Sequence, residues 1–200
     1  MRRMSAPTTS VATLFALLPA LGLGQAPVIN EIYYEPPDKN VPEEFVELYN
    51  PGPTAIDLSR WRFADGITFT FPEGTLIGAG AYLVVAEDPE TLRASFGSSI
   101  PVLGPFVGQL DNDGEQIVLV NQAGDVVDEV DYKLGFPWPL ASSGDGPSIE
   151  LINPSLPNDV GGSWRAAGTA GTGGSTRRYF VEAADAAWHY RKGTSEPPAT

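Results

Sequence analysis

The chain of 200 residues contains no cysteine and a single histidine. Without cysteine, it cannot form disulfide bonds, thiol nucleophiles, cysteine-bound zinc sites, iron–sulfur clusters or a lipid-modified N-terminal cysteine. The one histidine, His189, lies close to the C-terminal end, which excludes a Ser–His–Asp triad or a histidine-rich metal site in the preceding region. Stability must therefore come from packing, which a domain of about 140 residues can supply.

Positive charge is also scarce. Twelve Lys and Arg residues against 25 Asp and Glu residues give a formal net charge of −13. Nucleic-acid binding depends on Lys and Arg displacing counterions, and anionic membrane surfaces repel acidic chains, so neither nucleic acid nor a membrane surface is an expected partner. No GxGxxG or GxxxxGK[ST] loop follows a strand, and no nucleotide or other cofactor is predicted.

The first 24 residues have the three-part pattern of a secretory signal peptide. A short basic start with Arg2 and Arg3 precedes an apolar run over residues 11–23, and small residues follow. We predict cleavage after Gly24 and an exported protein that is secreted, cell-surface or periplasmic, with no membrane insertion after signal removal. A buried helix of the fold and a retained membrane anchor are the alternatives, although the run is short for a membrane span.

The remaining chain is predicted to be almost entirely β-structure. Twenty-two glycines and 19 prolines favour many short strands joined by turns. Strands are predicted at 28–34, 44–49, 58–63, 69–71, 76–77, 82–86, 116–120, 126–132 and 148–152, the last being the final core strand. Residues 102–110 are predicted as irregular or strand. One helix is predicted over residues 88–96, with Asp88 as its N-cap and Pro89 in the first helical position.

The composition changes from Gly161 onward. We predict a flexible Gly/Ser/Thr-rich linker over residues 167–176. Residues 177–200 contain strand-like segments and are predicted to be the start of a truncated second module, with a disordered tail as the alternative. The expected organisation is therefore a signal peptide (1–24), a β-domain (25–166), the linker and this last segment.

Residues 28–165 resemble the lamin-tail domain of large exported bacterial proteins. The resemblance rests on ordered blocks that include INEIYYEP (29–36), EEFVELYNPG (43–52), FTFPEGTLIGAGAYLVVA (69–86), GQLDNDGEQIVLVNQAGDVVDEVDY (108–132) and SIELINP (148–154). It implies an all-β immunoglobulin-like β-sandwich of lamin-tail type that acts as an accessory module. The coiled-coil rod, basic import stretch and prenylated cysteine of nuclear lamins are missing from the sequence, as is the Cys…Trp…Cys pattern of antibody domains.

Two acidic clusters suggest calcium binding. Residues 111–115 (DNDGE) contain closely spaced carboxylates, which suit a hard cation, but the match to an EF-hand loop ends after its first positions. A tight turn is the favoured interpretation. In the second cluster, Glu129 and Asp131 are expected on one strand face and Asp128 on the other, with Asp125 in the preceding turn. A solvated outer face explains this cluster equally well, so no metal ligand is assigned.

Three glutamates invite a catalytic interpretation. Glu43, Glu44 and Glu47 could supply an acid and a base for glycoside cleavage. The resemblance implies structural roles instead, and we expect Glu31 and Glu47 to cap or bridge strands. No catalytic residue is therefore predicted.

Aromatic side chains offer a further candidate site. If exposed, they would form a platform for stacking sugars, although burial in the core is favoured. The candidates are Trp61, Trp138, Tyr33, Tyr34, Tyr82 and Phe71.

The leading functional hypothesis is a non-catalytic extracytoplasmic interaction or spacer module whose partner is a protein or a surface polymer. The first alternative is an accessory domain of an enzyme whose catalytic domain lies beyond Thr200. The second is a calcium-dependent adhesion module.

Overall fold

The computed structural model describes residues 26–97, 101–139 and 147–167. The predicted signal peptide, the linker beyond Ala167 and the segment 177–200 lie outside the described residues. The secondary structure comprises β1 (Val28–Tyr33), β2 (Phe45–Tyr49), β3 (Ile56–Asp57), β4 (Arg62–Asp65), β5 (Phe69–Thr70), β6 (Leu76–Ile77), β7 (Tyr82–Ala86), α1 (Pro89–Phe96), β8 (Val102–Leu103), β9 (Gln116–Val120), β10 (Val126–Asp131), β11 (Ile149–Leu151), a 3-10 turn (Gly161–Ser163) and β12 (Trp164–Ala166).

Two main sheets pack face to face. The larger has six strands in the order β12-β11-β1-β2-β7-β8, and its β7–β8 pair is parallel. The smaller has four antiparallel strands in the order β10-β9-β4-β5, while β3 and β6 form a separate two-stranded ribbon. This architecture confirms the expected all-β, immunoglobulin-like sandwich.

The core lies between the two sheets. Because side chains alternate along a strand, Val46 and Leu48 of β2 point inward, whereas Glu47 between them lies on the outer face of the six-stranded sheet. Ile117 and Leu119 of β9 meet them from the other sheet, and all four apolar side chains are fully buried. Burial of this apolar surface is the main source of stability.

Helix α1 covers part of the outer face of the six-stranded sheet. As predicted, Asp88 caps it by accepting the N–H groups of Glu90 and Thr91 at 2.9 and 2.8 Å, and Pro89 occupies its first position. Its buried Leu92 joins a second apolar cluster with Tyr33, Phe45, Val84, Ala86 and Val102. None of the helices among the described residues is long and apolar enough to cross a bilayer.

The predicted continuous strand over residues 58–63 is wrong. β3 ends at Asp57, the chain turns, and β4 begins at Arg62. The Asp57 carboxylate accepts the Ser59 N–H at 2.8 Å, a local bond that competes with the strand ladder. Arg60 then has a φ of 62°, which no strand residue adopts.

The prediction that residues 148–152 form the last core strand is also wrong. β12 follows and pairs antiparallel with β11, placing the buried Trp164 ring 6.0 Å from that of Trp138. β12 is only three residues long and follows two glycines, so the sequence pattern does not indicate a strand there. One of them, Gly161, is required by packing because a Cβ there would lie 2.8 Å from the Trp138 ring.

Candidate functional site

A polar groove of about 480 Å³ lies at one end of the sandwich. At this end β1 and β7 finish and β2 begins, so the loops that flank these strands converge. We call it the acidic groove. The lining residues used below are Lys39, Glu44, Glu87, Leu110, Asp111 and Asn112.

Glu44 is the most buried acid of the acidic groove, with 8% of its surface exposed. Its Oε2 accepts the N–H of Leu110 at 2.7 Å, and its backbone carbonyl accepts the N–H of Glu87 at 2.9 Å. Burial raises the pKa of Glu44 to about 7, aided by the negative charges of Glu87 and Glu115 and opposed by the Leu110 hydrogen bond. Both protonation states of the carboxyl are therefore populated near neutral pH.

Lys39 is the one basic residue among the lining residues named above, and other groups hold it. Its Nζ lies 3.9 Å from Glu35 Oε1. With the Asn112 amide turned so that both of its groups find partners, its oxygen accepts from Lys39 Nζ at 3.0 Å and its nitrogen donates to the Tyr34 carbonyl at 2.6 Å. Within the described ranges, no Lys or Arg lies within ion-pair distance of Glu44. The acidic groove thus keeps a net negative charge.

The 111–115 segment forms a tight turn, the favoured of its two interpretations. The Asp111 carboxylate accepts the Asp113 N–H at 2.8 Å, and Glu115 Oε1 accepts the Asp111 N–H at 2.7 Å. Gly114 has a φ of 102°, and a Cβ there would lie 2.6 Å from the Tyr132 carbonyl. In the part of the chain that the structure describes, no three acidic or histidine side chains are grouped to hold a metal ion.

We therefore expect the melting temperature to be the same in 1 mM calcium and in excess chelator. A site with a Kd of about 10 μM would stabilise the protein by about 2.7 kcal/mol at that calcium concentration, which corresponds to a rise of several degrees. Thermal unfolding followed by circular dichroism measures this directly. A rise of that size that Asp111→Asn abolishes would instead establish calcium binding at the turn.

A second set of acids forms a row across the outer face of the six-stranded sheet. Glu31 lies opposite Glu150 on one side and Glu47 on the other. Ser148 Oγ donates to Glu31, and Asn30 Nδ2 donates to Glu47 Oε1 at 3.0 Å. Glu31 and Glu47 therefore bridge neighbouring strands, the structural role expected from the sequence.

Glu47 is almost completely enclosed, with 2% of its surface exposed. Burial is the main reason that its pKa rises to about 8, and the charges of Glu31 and Glu150 add to the effect while the Asn30 hydrogen bond opposes it. Like charges directly opposite each other in a sheet repel. The neutral form of the Glu47 carboxyl therefore predominates in the folded protein at pH 7.

The glutamates proposed for glycoside cleavage are not brought together. Glu44 turns into the acidic groove and Glu47 lies on the outer face of the six-stranded sheet, while Glu43 Oε1 accepts from Ser95 Oγ. Glu47 is engaged with Asn30, and Glu44 with Leu110. These arrangements hold strands together and leave no converging acid–base pair among the three residues.

Asp128 fastens the two sheets, a role that the sequence did not reveal. As expected, it points away from the exposed Glu129 and Asp131 of β10. Its Oδ2 accepts the Ile29 N–H of the facing sheet at 2.6 Å and Asn158 Nδ2 at 2.7 Å. Burial raises its pKa to about 6, although both hydrogen bonds oppose this. Both donors are distant in sequence, so no local motif marks them.

The aromatic platform does not form. Four of the six candidates are buried, namely Tyr33, Tyr34, Phe71 and Trp138. Trp61 and Tyr82 are partly exposed, and Tyr82 packs against Tyr49 with a centroid separation of 4.5 Å. The favoured interpretation, burial in the core, is confirmed for those four.

Comparison with known proteins identifies one family. A model of the Lamin Tail Domain family matches residues 24–134, more than half of the chain. No curated protein matches the chain. The matched residues include the acidic groove as well as Glu31 and Glu47, whereas Trp138, β11 and β12 lie beyond the match.

Proposed function

The chain belongs to the lamin-tail domain family, and we propose on this premise that it is a non-catalytic interaction and spacer module of an exported protein. The signal-peptide pattern of residues 1–24 supports an extracytoplasmic location. A protein or a surface polymer is the proposed partner, because a net charge of −13 disfavours nucleic acid.

The observation that carries this proposal is the structural use of the buried carboxyl groups. Each bonds to a group on a different segment: Glu31 to Ser148, Glu44 to Leu110, Glu47 to Asn30 and Asp128 to Ile29. These hydrogen bonds hold each carboxyl in place between two segments of the sandwich. The loops at the ends of the sandwich then present surfaces for binding, as in many β-sandwich proteins.

The spacer role is supported by the way in which the chain leaves the sandwich. The Ala167 N–H donates to the Ser148 carbonyl at 2.8 Å, so the last described residue is held against the sheet. A following module would start from a fixed point. If the full-length protein carries a catalytic domain beyond Thr200, the sandwich would serve as its accessory domain, which is compatible with the same role.

Export and activity of the full chain test the proposal. We expect the exported chain to begin at Gln25, to remain with the cell envelope or a secreted partner, and to turn over no ester, glycoside or phosphoester. Mass spectrometry, fractionation and activity screening measure these outcomes. Turnover that Glu44→Gln or Glu47→Gln abolishes would overturn the proposal, as would retention of an unprocessed chain in the cytoplasm.

A further inference from the structure

Among the residues that the structure describes, no cation pairs with the buried acid of the acidic groove. Glu44 is more than nine-tenths buried and lines the groove, and only one of its carboxylate oxygens accepts a hydrogen bond from a described residue. Glu87 and Asp111 line the same groove, while Lys39 is held by Glu35 and Asn112. The groove therefore favours a cation that can bring several donors to more than one carboxylate.

The chain leaves the sandwich at the same end as the acidic groove. β1 ends at this end of the six-stranded sheet, β11 begins there, and β12, antiparallel to β11, ends there at Ala166. Three strand spacings of about 4.8 Å separate β12 from β2, a distance of about 14 Å. The start of the linker is therefore close to the groove.

The downstream segment has a small excess of basic residues, in contrast to the acidic sandwich. Residues 26–167 contain 22 acidic and 6 basic residues, whereas residues 168–200 contain 3 acidic and 4 basic ones. The first basic residues after the linker are the adjacent pair Arg177 and Arg178. Guanidinium groups suit carboxylates because they can donate two parallel hydrogen bonds.

We propose that the acidic groove binds the Arg177–Arg178 pair of the same chain and thereby docks the start of the following segment against the sandwich. Ten residues, 167–176, precede the arginine pair, and a Gly/Ser-rich chain of ten residues generally has a root-mean-square span of about 18 Å, which matches the distance to be covered. The tether gives an effective concentration in the millimolar range, so the docked state is substantially occupied when the arginine pair binds the groove with a Kd of about 1 mM or lower. This inference rests on the proposed spacer function and supplies its mechanism.

Docking should strengthen as the pH rises from 6 to 8. A bound guanidinium favours the ionised form of Glu44, whose pKa of about 7 in the free groove results mainly from burial. The charged groups around it are Glu87, Asp111 and Glu115, which share its sign, and Lys39, which is bound elsewhere. Arginine stays charged throughout this range, so the carboxyl groups set the pH dependence. Glu44 has the main part in it, and burial also raises the pKa of Glu87 and of Glu115.

A spin label next to the arginine pair tests the docking. Because the chain has no cysteine, Ser175→Cys provides a single nitroxide site in the full chain purified after export. Paramagnetic broadening is measured at the Leu110 and Asp111 amides in the acidic groove, with Gly52 at the opposite end of β2 as the reference. The variants are Arg177→Ser/Arg178→Ser and, with the same loss of charge, Arg191→Ser/Lys192→Ser.

In low salt we expect broadening at the groove amides in the parent and in Arg191→Ser/Lys192→Ser. It should fall by about half or more in Arg177→Ser/Arg178→Ser, in Glu44→Gln/Glu87→Gln and in about 1 M salt, where the screening length is about 3 Å. Unchanged broadening in Arg177→Ser/Arg178→Ser, or an equal fall in both tail variants, would overturn the docking. Export and lack of turnover do not depend on this pair, so the two proposals fail separately.

Discussion

Trp138→Ala is expected to lower the free energy of unfolding by about 3–5 kcal/mol, the usual cost of removing a large buried aromatic side chain. Trp138 is 7% exposed, and its ring lies 6.0 Å from that of Trp164. The backbone of Gly161 approaches the ring so closely that no Cβ fits between them. The vacated space cannot be refilled without moving β12.

The effect should spread to the C-terminal part of the sandwich. Trp164 Nε1 donates to the Asn158 carbonyl at 2.6 Å, and the Asn158 side chain donates to Asp128 at 2.7 Å. Trp138 packs against Trp164, the first member of this series of hydrogen bonds, and the series ends at Asp128, which joins the two sheets. Loss of Trp138 therefore weakens the packing that supports the series. Amide hydrogen exchange should rise first at β11 and β12.

Phe136→Ala is the matched control for this experiment. Phe136 lies two residues from Trp138 but is 99% exposed. Its removal should change stability by no more than about 0.5 kcal/mol, as is usual for surface substitutions. Urea unfolding of both variants at one pH makes the comparison. Equal effects of the two substitutions would show that Trp138 does not support the fold in the way described.

The second large effect is a loss of stability as the pH rises. The pKa of Glu47 is about 8 in the folded protein, against an ordinary value of 4.5. Between these values the folded chain holds a proton that the unfolded chain has released, so folding takes up a proton. The stabilisation is complete below about pH 4.5 and is lost as the pH rises through about 8. Glu44, at about 7, and Asp128, at about 6, act with the same sign.

From pH 5 to pH 8 we expect the free energy of unfolding to fall by roughly 2–4 kcal/mol through Glu47 alone. Glu47→Gln keeps the shape of the side chain and an oxygen that can accept from Asn30. The variant should be more stable than the parent at pH 8 and should lose less stability between the two pH values. The remaining slope would come mainly from Glu44 and Asp128, with contributions of the same sign from Glu87 and Glu115, whose pKa values burial also raises.

Urea unfolding at pH 5, 6, 7 and 8 measures these slopes, with Glu73→Gln as the control. Glu73 is an exposed acid in the loop before β6. Its charge is not among those that act on the buried carboxyl groups, so its replacement should leave their contribution to the slope unchanged. A parent whose stability is constant or rises over this range would contradict the burial of a neutral Glu47. Constant or rising stability is the result expected if water reached the carboxyl groups in the row of acids.

Local features of the fold were largely readable from the sequence. Asp88 followed by Pro89 marks the start of α1, because a side-chain oxygen and a fixed φ satisfy helix-terminal requirements that involve only neighbouring residues. Alternation separates the two faces of β2 because successive side chains point to opposite sides, whereas β-bulges interrupt it in β1 and β10, so that Ile29 and Ile32 both enter the core. The turn at residues 111–115 was recognisable for the same local reason.

Long-range features were not readable in this way. The interruption at Arg60 combines the local Asp57–Ser59 bond with a bond from the Arg60 N–H to the more distant Phe71 carbonyl, and β12 is defined by its pairing with β11. The distant partners could not be identified from the local pattern. The attachment of Asp128 to Ile29 joins residues that are 99 positions apart. No repeating pattern marks such a pair.

The amino-acid sequence by itself determined the fold class, the helix cap and the faces of a regular strand such as β2, since these depend on backbone geometry and on the burial of apolar side chains. Only the tertiary structure decided which acids are buried and what they touch. Glu44, Glu47 and Asp128 are the same residue types as the exposed acids of the chain. Their pKa values are raised because packing removes water from each carboxyl, and the hydrogen-bond donors beside each one oppose that rise. Desolvation depends on the whole fold, and the acidic groove is formed by segments that are separate in the sequence, so neither could be identified from the sequence.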